Sequence, residues 1–189
     1  MKLNYYTYKV NDFPSKYLEQ LTSILKKIVE EKKDEYWENY SKNLFNIKKQ
    51  VAISIATHNE QIKIFATIFN NEFYGKSVYR LFNRIYKVDD IRDLHSQKKY
   101  NNIHITHPIL YQQEQFVKLL NPKFYFISRQ RKHTKWLKYF INNYNNDYNS
   151  NFIVSDEHFK VNSLKDHYRS CQLLIYPKNL NIPFLKCNK

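Results

Sequence analysis

Arg129, Arg131, Lys132, His133, Lys135 and Lys138 form the densest basic cluster of the chain, with Trp136 and Tyr139 set among them. Cations interleaved with aromatic rings suit a phosphate-rich ligand, either a phosphorylated small molecule or a nucleic-acid backbone. On a helix, Lys132, Trp136 and Tyr139 fall at i, i+4 and i+7 and share one face. A tyrosine so placed can donate a proton as a general acid. Standing among Trp136, Leu137 and Phe140, Tyr139 also fits a core position. Carboxylates able to take a proton are scarcer. Glu60 and Glu72 fall in turns, whereas Asp156, Glu157 and His158 cluster on the penultimate strand, which makes Glu157 the candidate base. No phosphate-loop motif, Ser–His–Asp ordering or pair of catalytic carboxylates stands out. No spacing of histidines and cysteines reads as a zinc site, so no metal is expected.

These residues need elements to position them. Residues 3–10 alternate as a strand, with Leu3, Tyr5, Thr7 and Lys9 on one side and Asn4, Tyr6, Tyr8 and Val10 on the other. Asp12, Pro14 and Ser15 signal a helix start, and apolar spacing predicts an amphipathic helix over 17–29 and a second over 34–45. Strands are expected over 51–57, 62–70 and 78–88. Turns at His58-Asn59-Glu60-Gln61 and at Asn70-Asn71-Glu72 with Gly75 join them into a meander. Residues 89–106 show no clean period. Pro108 is expected to open the next helix, where it contributes no N–H, and Asn121-Pro122 to end it. There follow a strand over 124–128, a basic helix over 133–144, a solvated Asn-rich loop over 142–151, and strands over 152–161 and 171–176.

The expected fold class is α+β, a mixed, mostly antiparallel sheet flanked by helices, with strand 124–128 parallel to strand 78–88. One domain is expected over 1–189, with a strand and helices in 1–48, the core sheet and crossing helices in 49–176, and a tail in 177–189. A chain of 189 residues can bury a real core without a staple. Cys171 is expected in that core and Cys187 in the tail. With 42% hydrophobic and 17% aromatic residues, disorder is expected only at the ends and in the Asn-rich loop. No run approaches the roughly 18 apolar residues of a membrane span, and residues 1–10 lack a signal-peptide pattern. A soluble cytoplasmic protein without a membrane partner is expected. The charge of +14 makes nucleic acid a candidate partner. Abundant Lys, Asn, Ile, Tyr and Phe beside one Gly also fit an AT-rich coding genome, of a bacterium or a virus of one.

From about 49 to 176 the chain resembles the GNAT superfamily of acyl-CoA-dependent N-acyltransferases, and in detail its divergent members in marine tailed phages. The residues that carry the resemblance are Tyr79-Arg80-Leu81-Phe82-Asn83-Arg84 leading to Asp89-Asp90-Ile91-Arg92, then Phe126-Ile127-Ser128-Arg129 with Arg131-Lys132-His133 and Trp136, and last Cys171-Gln172-Leu173-Leu174-Ile175-Tyr176. The resemblance implies transfer of an acetyl group from acetyl-CoA to an amine whose identity it leaves open. It implies that the pantetheine arm lies along Tyr86, Lys87 and Val88. The pyrophosphate would fall where the family uses a Gly-rich loop, here a glycine-free run in which Arg92, Lys98 and Lys99 supply the charge. Arg129 and Lys132 are expected to face the cofactor, Tyr139 to protonate the leaving thiolate, and Glu157 to serve the acceptor amine. The missing glycines also fit a non-enzymatic virion or interaction module, and the basic clusters a nucleic-acid-binding protein. The oligomeric state stays open.

Overall fold

Alternation along the first strand sets the layers of the N-terminal half. The computed structural model describes residues 2–33, 35–46, 50–73, 76–87, 101–120, 125–130, 134–159 and 171–176. In it β1 (Asn4–Lys9) pairs antiparallel with β2 (Gln50–His58), and β2 with β3 (Gln61–Phe73). Leu3 and Tyr5 pack on one side against buried Ala56, Ile64, Ala66 and Ile109. Thr7 follows on that side, 2.7 Å from the Ser54 hydroxyl, and it donates to Gln112 Oε1 at 3.3 Å. Thr7 has one proton, so Ser54 donates to Thr7. Tyr6 and Tyr8 point the other way, with ring centroids 6.5 Å from Tyr17 and, for Tyr8, 5.7 Å from Phe13. Burial, then the neighbouring Tyr17 and Tyr6, push the Tyr8 phenol above its ordinary range.

Helix α1 (Ser15–Lys32) covers the Tyr6/Tyr8 side, and its buried residues Tyr17, Leu21, Leu25 and Ile28 repeat at three- and four-residue steps as its sequence predicts. Lys33 ends it in the left-handed region at φ 45°, with its N–H on the Val29 carbonyl. Helix α2 (Glu35–Asn43) opens with Glu35 and Glu38, favourable at a helix N-terminus, and buries Trp37 and Tyr40. The Tyr40 hydroxyl lies 3.2 Å from Thr67 Oγ1, and its ring 6.4 Å from Phe65. Ala52, Ser54, Ala56 and Ala66 are all fully buried, and such small residues let a helix approach the sheet closely. Helix α3 (Asn101–Leu120) uses this, placing Ile109 in their cluster.

The β2–β3 turn stands at Asn59 and Glu60, with φ of 47° and 62°, the pattern of a tight hairpin. Glu60 is costly there for a non-glycine residue. Helix α1 holds it: Lys16 Nζ donates to its carboxylate at 2.8 Å, Gln20 Nε2 to its carbonyl at 3.0 Å, and Ile62 N–H to Gln20 Oε1 at 3.0 Å. The ion pair holds the Glu60 carboxyl below the usual glutamate range and raises Lys16, the hydrogen bond acting before the charge in both. The Glu60 contribution is therefore present above the ordinary glutamate range and is lost as pH falls through its depressed folded value. That of Lys16 is lost only as pH rises through its raised value. Both side chains are exposed, so the effect on stability is small. An NMR titration should give Glu60 a midpoint below that of a free glutamate, returning to normal in Lys16→Ala. An unshifted wild-type midpoint would contradict the pair.

The chain divides into two compact units, Met1–Asn70 with Arg84–Phe116 and Asn71–Asn83 with Val117–Lys189. In the second, the first part of β4 (Lys76–Lys87) runs parallel to β5 (Tyr125–Gln130), with Tyr79, Arg80 and Leu81 opposite Tyr125, Phe126 and Ile127. β7 (Cys171–Tyr176) lies between β5 and β6 (Ile153–Phe159), antiparallel to both. Strand order is β1-β2-β3-β4-β5-β7-β6. The expected α+β class, its mostly antiparallel sheet and the parallel 124–128 strand all stand. No helix among the described residues is long and apolar enough to cross a membrane.

Three expectations are corrected. Asn70-Asn71-Glu72 is strand, because β3 runs to Phe73; asparagine favours turns locally, but sheet context overrides that preference. Pro108 lies inside α3 and does not open it. A proline there removes one helical hydrogen bond, on the order of 3 kcal/mol, offset by burial of Ile109, Leu110 and Val117. The Asn-rich stretch is largely helical, as α4 (Thr134–Tyr148) continues through it. Ile141 and Tyr144 keep the apolar spacing, and Tyr144 stacks on Tyr148 at 4.9 Å and meets Phe152 at 5.8 Å. Asn149 then takes φ 48° and Ser150 N–H bonds the Asn145 carbonyl at 3.0 Å, a left-handed helix stop. The Asn145 amide clamps Phe152, donating to its carbonyl at 2.8 Å and accepting its N–H at 3.1 Å.

Candidate functional site

The early start of α3 changes the chemistry at its N-terminus. Because the helix begins at Asn101, its first turn is Asn101-Asn102-Ile103-His104, and none of these is proline. The N–H groups of Asn101, Asn102 and Ile103 have no intrahelical acceptor, and the dipole there is positive. This is an arrangement that holds phosphate or another anion without a glycine. It lies in the same unit as the end of β4, where Tyr86 and Lys87 are the last two strand residues. Apolar periodicity missed Asn101. Helix α3 also buries His107, Gln113 and Glu114, polar residues that an apolar pattern does not flag.

The remaining predicted residues are distributed as follows. Val88, Arg92, Lys98, Lys99 and Lys132 lie outside the described residues. Arg129 is in β5, opposite Gln172 of β7, and Gln172 is in turn opposite His158 of β6. Glu157 immediately precedes His158, in the interval from Val154 to His158 where the β6–β7 register shifts. Tyr139 is on α4 and is 52% exposed, which overturns its reading as a core residue. The physical reason is the helix phase: Ile141 and Tyr144 take the buried face, and Tyr139 falls on the other with Lys138. A hydroxyl so exposed is open to a ligand.

No family model matches the sequence, and no curated protein does. Solved structures match the fold. An acyl-CoA N-acyltransferase from Pseudomonas aeruginosa aligns over 92% of this chain and 99% of its own, with a TM-score of 0.56 at 12% identity. An acetyltransferase from Streptococcus agalactiae aligns over 92% and 96%, with a TM-score of 0.54 at 13% identity. An acetyltransferase of the GNAT family from Streptococcus pneumoniae aligns over 92% and 98%, with a TM-score of 0.50 at 11% identity. At these identities the likeness is one of fold. The mixed sheet and its flanking helices are those of GNAT acetyltransferases.

Proposed function

We propose that the chain is an acyl-CoA-dependent N-acyltransferase that uses acetyl-CoA and an amine acceptor. One observation carries the reading beyond fold. Helix α3 begins at Asn101, so the strand β4 is followed by a helix whose first turn keeps its N–H groups. That removes the obstacle a proline at the helix start would have posed to a pyrophosphate. With Gly75 the one glycine in the chain, side chains must supply what a glycine-rich loop otherwise does.

In this reading Arg92, Lys98 and Lys99 neutralise the phosphates beside the α3 N-terminus, and Arg129 and Lys132 add charge. The backbone of Tyr86, Lys87 and Val88 pairs with the pantetheine amides. Bound acyl-CoA supplies an activated thioester. Glu157 takes the proton of the attacking amine, and the Tyr139 hydroxyl gives its proton to the departing thiolate. Tyr139 then recovers a proton from solvent, which its exposure allows.

The test is release of free thiol from acetyl-CoA in the presence of a panel of amines, with acetylated product identified by mass. The binding half is tested by Lys98→Ala with Lys99→Ala. Each charge-assisted phosphate contact contributes about 1.5–3 kcal/mol, so the pair should weaken CoA binding by about 100-fold or more and flatten its salt dependence. Unchanged affinity would exclude both lysines from the site. CoA bound without turnover on any amine would favour a binding module on the same fold.

A further inference from the structure

Acidic residues are distributed unevenly along this chain. Lys and Arg divide almost equally between the two units, but twelve of the 17 Asp and Glu residues fall in the first and five in the second. The asymmetry is sharpest between Glu114 and Asp147, where no acid occurs and seven lysines and arginines do. That stretch includes β5 and nearly all of α4.

Helix α4 turns a defined ridge outward. Lys138, Tyr139, Asn142 and Asn146 are exposed, while Ile141 and Tyr144 are buried on the opposite side. At 3.6 residues per turn Lys138, Asn142 and Asn146 lie one above the other, and Asp147 falls off their line. From Lys138 to Asn146 the ridge is about 12 Å long, the rise of three to four nucleotides in a duplex strand. A lysine followed by two amides is the side-chain set that meets phosphate, sugar and base edges. The Asn145 clamp on Phe152 and the Tyr144–Tyr148 stack fix the helix that carries it.

We propose that the exposed ridge Lys138–Asn142–Asn146 of α4 is a nucleic-acid contact surface. It shares its face of α4 with Tyr139, but its test does not depend on acyl transfer. Lys138 meets a phosphate, and the two amides bind the strand without neutralising charge.

The test is fluorescence anisotropy of the full chain with a labelled 20-nucleotide single strand, its duplex and a poly-glutamate competitor, from about 50 to 200 mM salt. The wild type should bind, with log affinity falling linearly with log salt. Lys138→Gln should reduce the slope by about 0.7 on the single strand or about 0.9 on the duplex. Asn142→Ala with Asn146→Ala should weaken binding about tenfold and leave the slope unchanged, because amides release no counterions. All three positions are exposed, so thermal melting should match the wild type. Absence of binding at about 50 mM salt overturns the proposal. So do variants that bind like the wild type, or poly-glutamate competing as well as nucleic acid does.

Discussion

Replacing Tyr139 by phenylalanine is expected to slow acetyl transfer by about 100-fold or more while leaving CoA affinity nearly unchanged. Only the hydroxyl is lost, and the ring and its neighbours on α4 remain. The residue is 52% exposed, so its removal should shift stability by less than about 0.5 kcal/mol. A loss of kcat with KM retained therefore reports chemistry and not folding. In the proposed mechanism the interaction removed is one made in the transition state, where the sulfur gains negative charge. If kcat is unaltered, Tyr139 is a surface residue of α4 with no part in the reaction. If kcat and melting temperature fall together, the residue is structural.

Phe65→Ala should give the largest loss of stability. Phe65 is fully buried on β3, opposite Ile55 of β2, with its ring 6.4 Å from Tyr40 of α2. Truncating a buried phenylalanine loses transfer free energy and leaves a cavity, together about 3–5 kcal/mol. It should also loosen α2, because the Tyr40 hydroxyl bond to Thr67 is formed beside that ring. Urea unfolding should show a lower midpoint with the same m-value. A loss below about 1 kcal/mol would mean that the sheet and α2 are not packed as described.

The sequence carried the sheet more clearly than the site. Alternation from Leu3 to Lys9 put Tyr5 and Thr7 on one face and Tyr6 and Tyr8 on the other, and those two faces meet different helices. The spacing of Tyr17, Leu21, Leu25 and Ile28 identified α1, because one face is buried along its whole length. Local rules misled where context outweighed them. Pro108 is a strong start signal in isolation, yet it lies within a helix held by Ile109, Leu110 and Val117. The asparagines after Ile141 favour a loop, yet Tyr144 and Tyr148 supply enough burial and stacking to extend α4 through them. The Pro108 error had a functional consequence. Placing the helix start seven residues late hid the N–H groups of Asn101, Asn102 and Ile103, the feature that most favours an anionic ligand. Tyr139 shows the same limit at one residue, since helix phase decides between core and surface and neighbours in sequence do not.

The most direct test is isothermal titration of CoA into the full chain at low salt. Saturable one-site binding is predicted, weakened in the Lys98→Ala, Lys99→Ala protein and by added salt, as the proposed replacement of a glycine-rich loop by side-chain charge requires. Absence of both heat and thermal shift at millimolar CoA would contradict the acyltransferase account and leave a GNAT fold that serves another purpose.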